Sequence, residues 1–318
     1  MSTTTHIARR LLTLLPVLIV VGIIIFLLGH LMPGDPAAIM AGEYATPEQV
    51  ERIRQQMGLD RPLLVQFWEW AGRVLQGDFG TSFFLKMPVT KAMLGRLEPT
   101  GLLTLCSLVI AIAIGLPAGF VAAMRRNSLM DRLLMGLSLL GICIPSFWLG
   151  ILLVLAFSVT LRLFPAVSYV PLQEGPLSTL RSLLMPSFAL GLAHAAFLAR
   201  MTRSSVLEVL SEDYVRTAHA KGLRARLVSL RHVMPNVLVP VLTIIGNSVG
   251  SLMAGAITIE QVFNLPGVGR LMIQSLSRRD YPVIQGVVLG SAIIYVLVNL
   301  IVDVAYGIVD PRIREGSR

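Results

Sequence analysis

The chain has 318 residues, of which 54% are hydrophobic and only 14% charged, and its mean hydropathy is +0.74. That balance excludes an ordinary soluble domain, since the apolar runs reach the length of about 20 residues that crosses a bilayer. The net charge of +9 does not point to nucleic acid, because the basic residues sit mostly between apolar runs and form no aromatic-studded basic face.

In chain order, Arg9 and Arg10 precede an apolar run over 11–32. It is longer than the apolar core of a signal peptide (about 7–15 residues), and no A-x-A site follows it cleanly, so it reads as an uncleaved first span with a positive-inside anchor. Further spans are expected at about 101–123, 133–160, 182–202, 236–259 and 283–307, six in all. Backbone polar groups must be satisfied inside hydrocarbon, so each should be a helix. Segments 1–10, 124–132, 203–235 and 308–318 hold most of the 27 basic residues in far fewer positions than 33–100, 161–181 and 260–282. This places the first set, and with it both termini, in the cytoplasm. The seven basic residues within 33–100 do not weigh against this, because long external domains fall outside the rule.

The expected organisation is therefore all-α and integral to the membrane. Residues 1–32 form the N-terminal segment and first span, and 33–100 an external helical insert. Residues 101–307 form a five-helix core carrying loop 203–235, and 308–318 a cytosolic tail. Within the insert, Thr46, Pro47 and Gln49 supply an N-cap, a first-turn proline and a capping-box partner, and Gly58 suits the residue after that helix. A second helix should start near Pro62 and end before Gly77, with Leu63, Phe67, Trp70 and Val74 at helical spacing. Trp68 and Trp70 suit a membrane interface or simple packing. Cys106 and Cys143 lie inside apolar runs and read as buried packing residues. Glycines four apart at 115/119, 246/250 and 286/290 would permit close helix approach.

Segment 213–235 reads DYVRTAHAKGLRARLVSLRHVMP. Asp213 is a candidate N-cap, and Tyr214, Val215 and Ala218 make one apolar side of a short helix. Gly222 permits the left-handed conformation that ends it. Leu223, Leu227 and Leu230 would line one face of a second helix that stops at Pro235. Arg216, Lys221, Arg224, Arg226 and Arg231 make the segment basic. Two short helices at an angle suit a groove on a partner; the competing reading is a basic loop lying on the membrane surface.

The spacing of Ala218, Gly222 and Pro235 resembles the EAA loop of binding-protein-dependent ABC importer permeases, E-A-A-x-x-x-G, nine residues, then I-x-L-P. Arg216, Thr217, His232 and Met234 replace the pattern's E, first A, I and L. Five strings carry the resemblance along the chain: PGDP at 33–36, GDFGTSF at 77–83, VFNLPGVGRL at 262–271, RDYPVIQ at 279–285 and DPRIR at 310–314. Together they are similar to the dipeptide, oligopeptide, glutathione and nickel permease family. The resemblance implies a type I importer permease in a bacterial inner membrane, non-enzymatic by itself and forming half of a channel for short peptides or a related solute. It implies four kinds of partner: a second homologous permease, two cytosolic ATPase subunits, an external binding protein and lipid, with no nucleic acid. Asp213, Tyr214, Arg216, Ala218, Lys221, Gly222, Arg224, His232 and Pro235 would be the ATPase-coupling residues.

None of the three lysines, Lys86, Lys91 and Lys221, follows a glycine. No G-x-x-x-x-G-K-[ST] phosphate loop therefore exists, and ATP with its magnesium is expected on partner subunits, with no cofactor in this chain. Gly246, Ser248 and Gly250 satisfy G-x-S-x-G, which would support an intramembrane serine protease with His194 as base. That pattern needs a strand-to-helix elbow, however, and here it lies in the fifth expected span, where Ser248 should back-bond to its own helix. His30, Arg200, Glu260 and Asp303 lie near span ends and suit interfacial roles. His194 is the one mid-membrane candidate for lining a pathway. A secondary transporter would want paired intramembrane carboxylates, which Glu260 and Asp303 at opposite span ends do not supply.

Overall fold

The computed structural model describes residues 3–31, 35–42, 44–165 and 169–309. DPRIR lies outside the described residues, as do Pro33 and Gly34 of PGDP, all but the first two residues of the 308–318 tail, and the side chain of Asp303. The elements are helical: α1 (Thr3–Leu31), α2 (Pro36–Ala41), α3 (Pro47–Gln56), α4 (Leu63–Leu75), α5 (Val89–Met124), α6 (Leu129–Cys143), α7 (Ser146–Leu153), α8 (Pro176–Leu210), α9 (Asp213–Ala220), α10 (Ala225–Val228), α11 (Met234–Val262), α12 (Val268–Arg278) and α13 (Tyr281–Val309). Wider π turns continue α7 over Val154–Thr160 and join α10 to α11 over Ser229–Val233. Among the described residues the one β feature is an isolated bridge between Thr81 and Pro88.

Among the described residues four helical stretches are long and apolar enough to cross a membrane: Val89–Met124, Pro176–Leu210, Arg231–Val262 and Tyr281–Ile301. The uninterrupted third span expected over 133–160 is corrected. It is a pair, Leu129–Cys143 and Ser146–Thr160, bent by 97°. Ile144 adopts an extended conformation (φ −81°, ψ 119°), as a residue preceding proline must when the ring of Pro145 crowds its helical form. Prolines 99, 117, 186 and 240 are instead absorbed inside helices, as membrane-crossing helices permit.

The described chain forms two compact units. One comprises Glu98–Gly269 and the segment from Val298 onward; the other comprises Ser2–Leu97 and Arg270–Leu297.

In the first unit α8 is the hub, packed against α6, α7 and α11. It is more deeply enclosed than α5. Leu103, Leu183, Leu190, Leu252 and Ile259 centre one apolar cluster. Lipid offers no hydrophobic drive between spanning helices, so close approach must supply the attraction. Gly115 and Gly119 show how: a Cβ there would fall 2.7 and 2.3 Å from the carbonyl oxygens of Ala195 and Ala199. Cys143 is exposed and Cys106 half-buried, correcting the expectation of two buried thiols. An apolar neighbourhood marks a lipid-facing surface as readily as a core.

In the second unit the Thr46 capping box forms as expected, with Thr46 N–H donating to Gln49 Oε1 at 2.9 Å. Leu59 N–H returns to Arg54 O at 3.0 Å behind Gly58, closing α3 in a Schellman turn. Asp78 N–H closes α4 on Arg73 O in the same way. Phe67 and Trp70 pack on Phe26 of α1, with ring centroids 5.3 and 5.8 Å from it. Trp68 and Leu63 are exposed instead. Gly286 and Gly290 bring α13 against Val89 and Met93, where a Cβ would meet side-chain atoms at 2.5 and 2.4 Å.

Candidate functional site

Segment 203–235 takes its shape from one glycine and one π turn. Helix α9 begins at Asp213, so the cap position is Glu212 and not Asp213 as expected; Glu212 makes no side-chain capping bond. Gly222 ends the helix at φ 76°, its N–H reaching His219 O at 2.9 Å and Leu223 N–H reaching Ala218 O at 3.4 Å. Left-handed backbone costs a residue with a Cβ about 1–2 kcal/mol, and glycine removes that cost.

The segment's apolar side turns inward. Val215 and Ala218 are buried in a cluster with Ala123, Leu198, Val206, Val228, Val233, Val237 and Val241. Ala218 therefore packs within this chain, and the expected exposed site for a partner at that residue is corrected. The second helix differs too. It runs on through the π turn into α11, with Pro235 in the first turn of α11 and not at a stop. The π turn brings Val228 and Val233, five apart, onto the inner face, and Val237, one α-helical turn further on, continues it. Leu227 is consequently exposed and Leu223 partly buried; the Leu230 side chain lies outside the described residues.

What remains outward is polar and basic. Arg216, Thr217, His219, Lys221 and Arg224 are exposed. Arg216 lies 3.5 Å from Asp213, with side chains 72% and 97% exposed, a pair worth about 0–1 kcal/mol that leaves both charges available. Tyr214 is half-exposed, its hydroxyl directed at His232 O at 3.5 Å. Burial, then the nearby Glu212 carboxylate, raises its phenol above the ordinary value. His232 is half-buried and Pro235 exposed. The site is thus a short helix nailed by its apolar side to its own chain, offering a basic outer face at a defined angle.

Four acids hold the surrounding framework, and of these the sequence reading had singled out Glu260 alone. Asp131 receives a two-pronged contact from Arg203 at 2.7 and 2.9 Å and an N–H from Asn127 at 2.9 Å. It thereby ties the start of α6 to α8 at the first residue of segment 203–235. Glu260 is fully buried and accepts the Thr100 hydroxyl at 2.6 Å, while the same hydroxyl receives the Val268 N–H at 2.8 Å. The expected interfacial role for Glu260 is corrected: its carboxylate fills the space beside Gly267 and Gly269 and shapes the LPGVG turn. The carboxylate of Glu98 accepts the Tyr169 hydroxyl at 2.6 Å and the Leu172 N–H at 2.8 Å, and burial and that carboxylate raise the Tyr169 phenol far above its usual range. In the second unit Asp280 gathers Ser82, Phe83 and Phe84.

Ser248 donates to Ile244 O at 2.7 Å, the expected back-bond within its own helix. His194 is half-buried; it donates from Nδ1 to Leu190 O at 3.2 Å, and its Nε2 lies 3.2 Å from Ser251 Oγ. The structure therefore pairs His194 with Ser251 and not with Ser248. Arg200 is exposed, and His30 bonds Phe26 O at 2.9 Å and Gln66 Oε1 at 3.0 Å. A nucleophile elbow is not assembled.

Residues 115–315 match the sequence profile of the binding-protein-dependent transport system inner membrane component, and residues 3–104 match its N-terminal companion. The chain is 46% identical over 311 residues to a Brucella abortus (strain 2308) protein named for a peptide transport system permease, covering 98% of this chain and 99% of the relative. It is 45% identical over 309 residues to the glutathione transport system permease protein GsiC of Salmonella typhimurium, covering 97% of this chain and 98% of that one. Among solved structures it resembles a chain of the MetNI methionine ABC transporter in an inward-facing conformation, with a TM-score of 0.56 and 18% identity over 69% of this chain and 96% of the other. At that identity the likeness concerns the fold.

Proposed function

We infer that this chain, which belongs to the family of binding-protein-dependent transport system inner membrane components and is a permease subunit of an ABC importer, carries short peptides or glutathione-like cargo. The names of its full-length relatives support that cargo class. The chain pairs with a second permease, two ATPase subunits dock on the loops of the pair, this chain's basic loop among them, and an external binding protein delivers the solute. Both termini and 203–235 face the cytoplasm of a bacterial inner membrane, following the asymmetry of basic residues across short loops. The chain contributes no hydrolytic chemistry of its own, since its sequence carries no phosphate-binding loop.

One observation carries this reading: a short helix fixed by Val215 and Ala218 to the end of α8 and the start of α11 and presenting Arg216, Lys221 and Arg224 outward. A helix held on one side by its own chain and gripped on the other by an ATPase transmits displacement to the spans it joins. Nucleotide-driven closure would then shift an equilibrium between outward- and inward-facing states through differential affinity.

The test combines transport with topology. Cells lacking this chain should lose uptake of labelled dipeptide or glutathione and regain it on complementation. Ser211→Cys should resist an impermeant thiol reagent in intact cells, while Tyr44→Cys, at a position 97% exposed, should react. Reaction of Ser211→Cys from outside would reverse the orientation and remove the docking surface from the ATPase side.

A further inference from the structure

The second unit contains a cavity of about 430 Å³, reached by α1, α3, α4 and the start of α13. We propose that it is a binding site for a small zwitterion with an apolar side chain, of the class of a free amino acid or dipeptide. The identification with peptide chemistry rests on the cargo reading above; the site itself rests on the lining.

Its lining includes the aromatic side chains of Phe26, Trp70, Phe79 and Tyr281. The lining also carries charges of both signs, and these divide into committed and uncommitted groups. Arg54 is engaged by Asp35 at 2.6 Å, and Glu69 by Arg61. Arg73 also lines the cavity, and its guanidinium makes no hydrogen bond or ion pair among the described residues. Asp78 spends Oδ1 on the Gly80 N–H at 2.8 Å, and its Oδ2 has no partner among the described residues. These two exposed residues close α4, where Asp78 N–H bonds Arg73 O at 3.0 Å, so one backbone turn holds their main chains together.

A cation and an anion lining one cavity, each uncommitted among the described residues, complement a ligand bearing both charges. Arg73 offers a planar donor fork to a carboxylate, Asp78 an acceptor to an ammonium group, and the aromatic lining an apolar surface to the side chain. The volume falls in the range of small-molecule sites, about 300–1,000 Å³.

The experiment uses the full-length permease in its native complex, in nanodiscs and without the binding protein, titrated with alanyl-phenylalanine. Saturable binding is expected, weakened about tenfold or more by Arg73→Gln, by Asp78→Asn and by capping either peptide terminus. Asp78→Asn keeps the Oδ1 acceptor for Gly80, so the turn survives and a loss reports the missing charge. No saturable binding to the folded complex at millimolar peptide, or binding indifferent to both substitutions and both caps, overturns the proposal. Dipeptide uptake by whole cells keeps the two readings apart. Uptake without cavity binding sinks the site and leaves the cargo reading standing. Cavity binding without uptake of any peptide does the reverse.

Discussion

The carboxylate of Asp280 accepts the hydroxyl of Ser82 at 2.5 Å, across 198 positions of sequence. The same carboxylate receives the N–H groups of Phe83 at 3.2 Å and Phe84 at 3.3 Å, and Asp280 is only 2% exposed. Two of the strings that mark the family, GDFGTSF and RDYPVIQ, are therefore two halves of one buried anion cage. Asp280→Ala strands three donors and should destabilise the purified chain by about 3 kcal/mol or more, whereas Ser82→Ala, which leaves two N–H donors on the carboxylate, should cost about 1–1.5 kcal/mol. Thermal unfolding in detergent reads the ranking. Equal losses would mean that the cage is not organised around Asp280.

Gly267 is required by its neighbour and not by its own backbone. A Cβ at this position would lie 2.2 Å from the carboxylate of Glu260, which is itself fully buried. Gly267→Ala should lower folded yield and stability by at least 2 kcal/mol, in the range of overpacking and broken buried networks. Adding Glu260→Ala removes the clash, so the double variant should be less damaged than the sum of the singles. Strict additivity would show that the two residues do not compete for the same space.

The loop separates two kinds of damage. Ala218→Glu buries a charge in this chain's own apolar cluster and should reduce folded yield. Gly222→Val has room, with nothing within 4 Å of the new Cβ, but must hold φ near 76°; the strain of about 1–2 kcal/mol redirects the segment that follows. Arg216→Glu with Arg224→Glu alters only the exposed face. It should leave permease recovery unchanged while lowering ATPase co-purification and transport together. Wild-type import by this double variant would remove the basic face from the coupling mechanism.

Ser248→Ala should leave transport within about twofold, because the hydroxyl serves only a back-bond to Ile244 O, worth about 1 kcal/mol at most. A serine-reactive probe should label wild type and variant equally. Labelling of wild type alone would establish a nucleophile where the structure has none.

Much of the helical inventory was legible from composition and local chemistry. Apolar runs of spanning length, the Thr46 capping box and the breaks at Gly58, Gly77 and Gly222 depend on residues close in sequence; the capping box and the glycine breaks took their expected form, as did four of the apolar runs. The glycine pairs 115/119 and 286/290 announced close helix approach, and the structure supplied the partners. Where local reasoning went astray, a wider context decided. Pro145 broke a run whose hydropathy reads as continuous, and a π turn rotated the inner face after Val228 from leucines to valines.

By itself the sequence determined that this chain is a helical membrane protein, and its ordered strings determined the family, because spanning length, helix caps and motif spacing are properties of neighbouring residues. Only the tertiary structure decided what the charged residues are for. Asp131 pairs with Arg203, Glu98 with Tyr169, Glu260 with Thr100 and Asp280 with Ser82, at separations of 72, 71, 160 and 198 positions. A buried charge is tolerated only where partners converge on it, and no local pattern records which distant helix will bring them. The same reason turned Ala218 inward: a small apolar residue suits a partner's groove and its own core equally well, and only the packing of Val206, Val228 and Val237 around it decides between them.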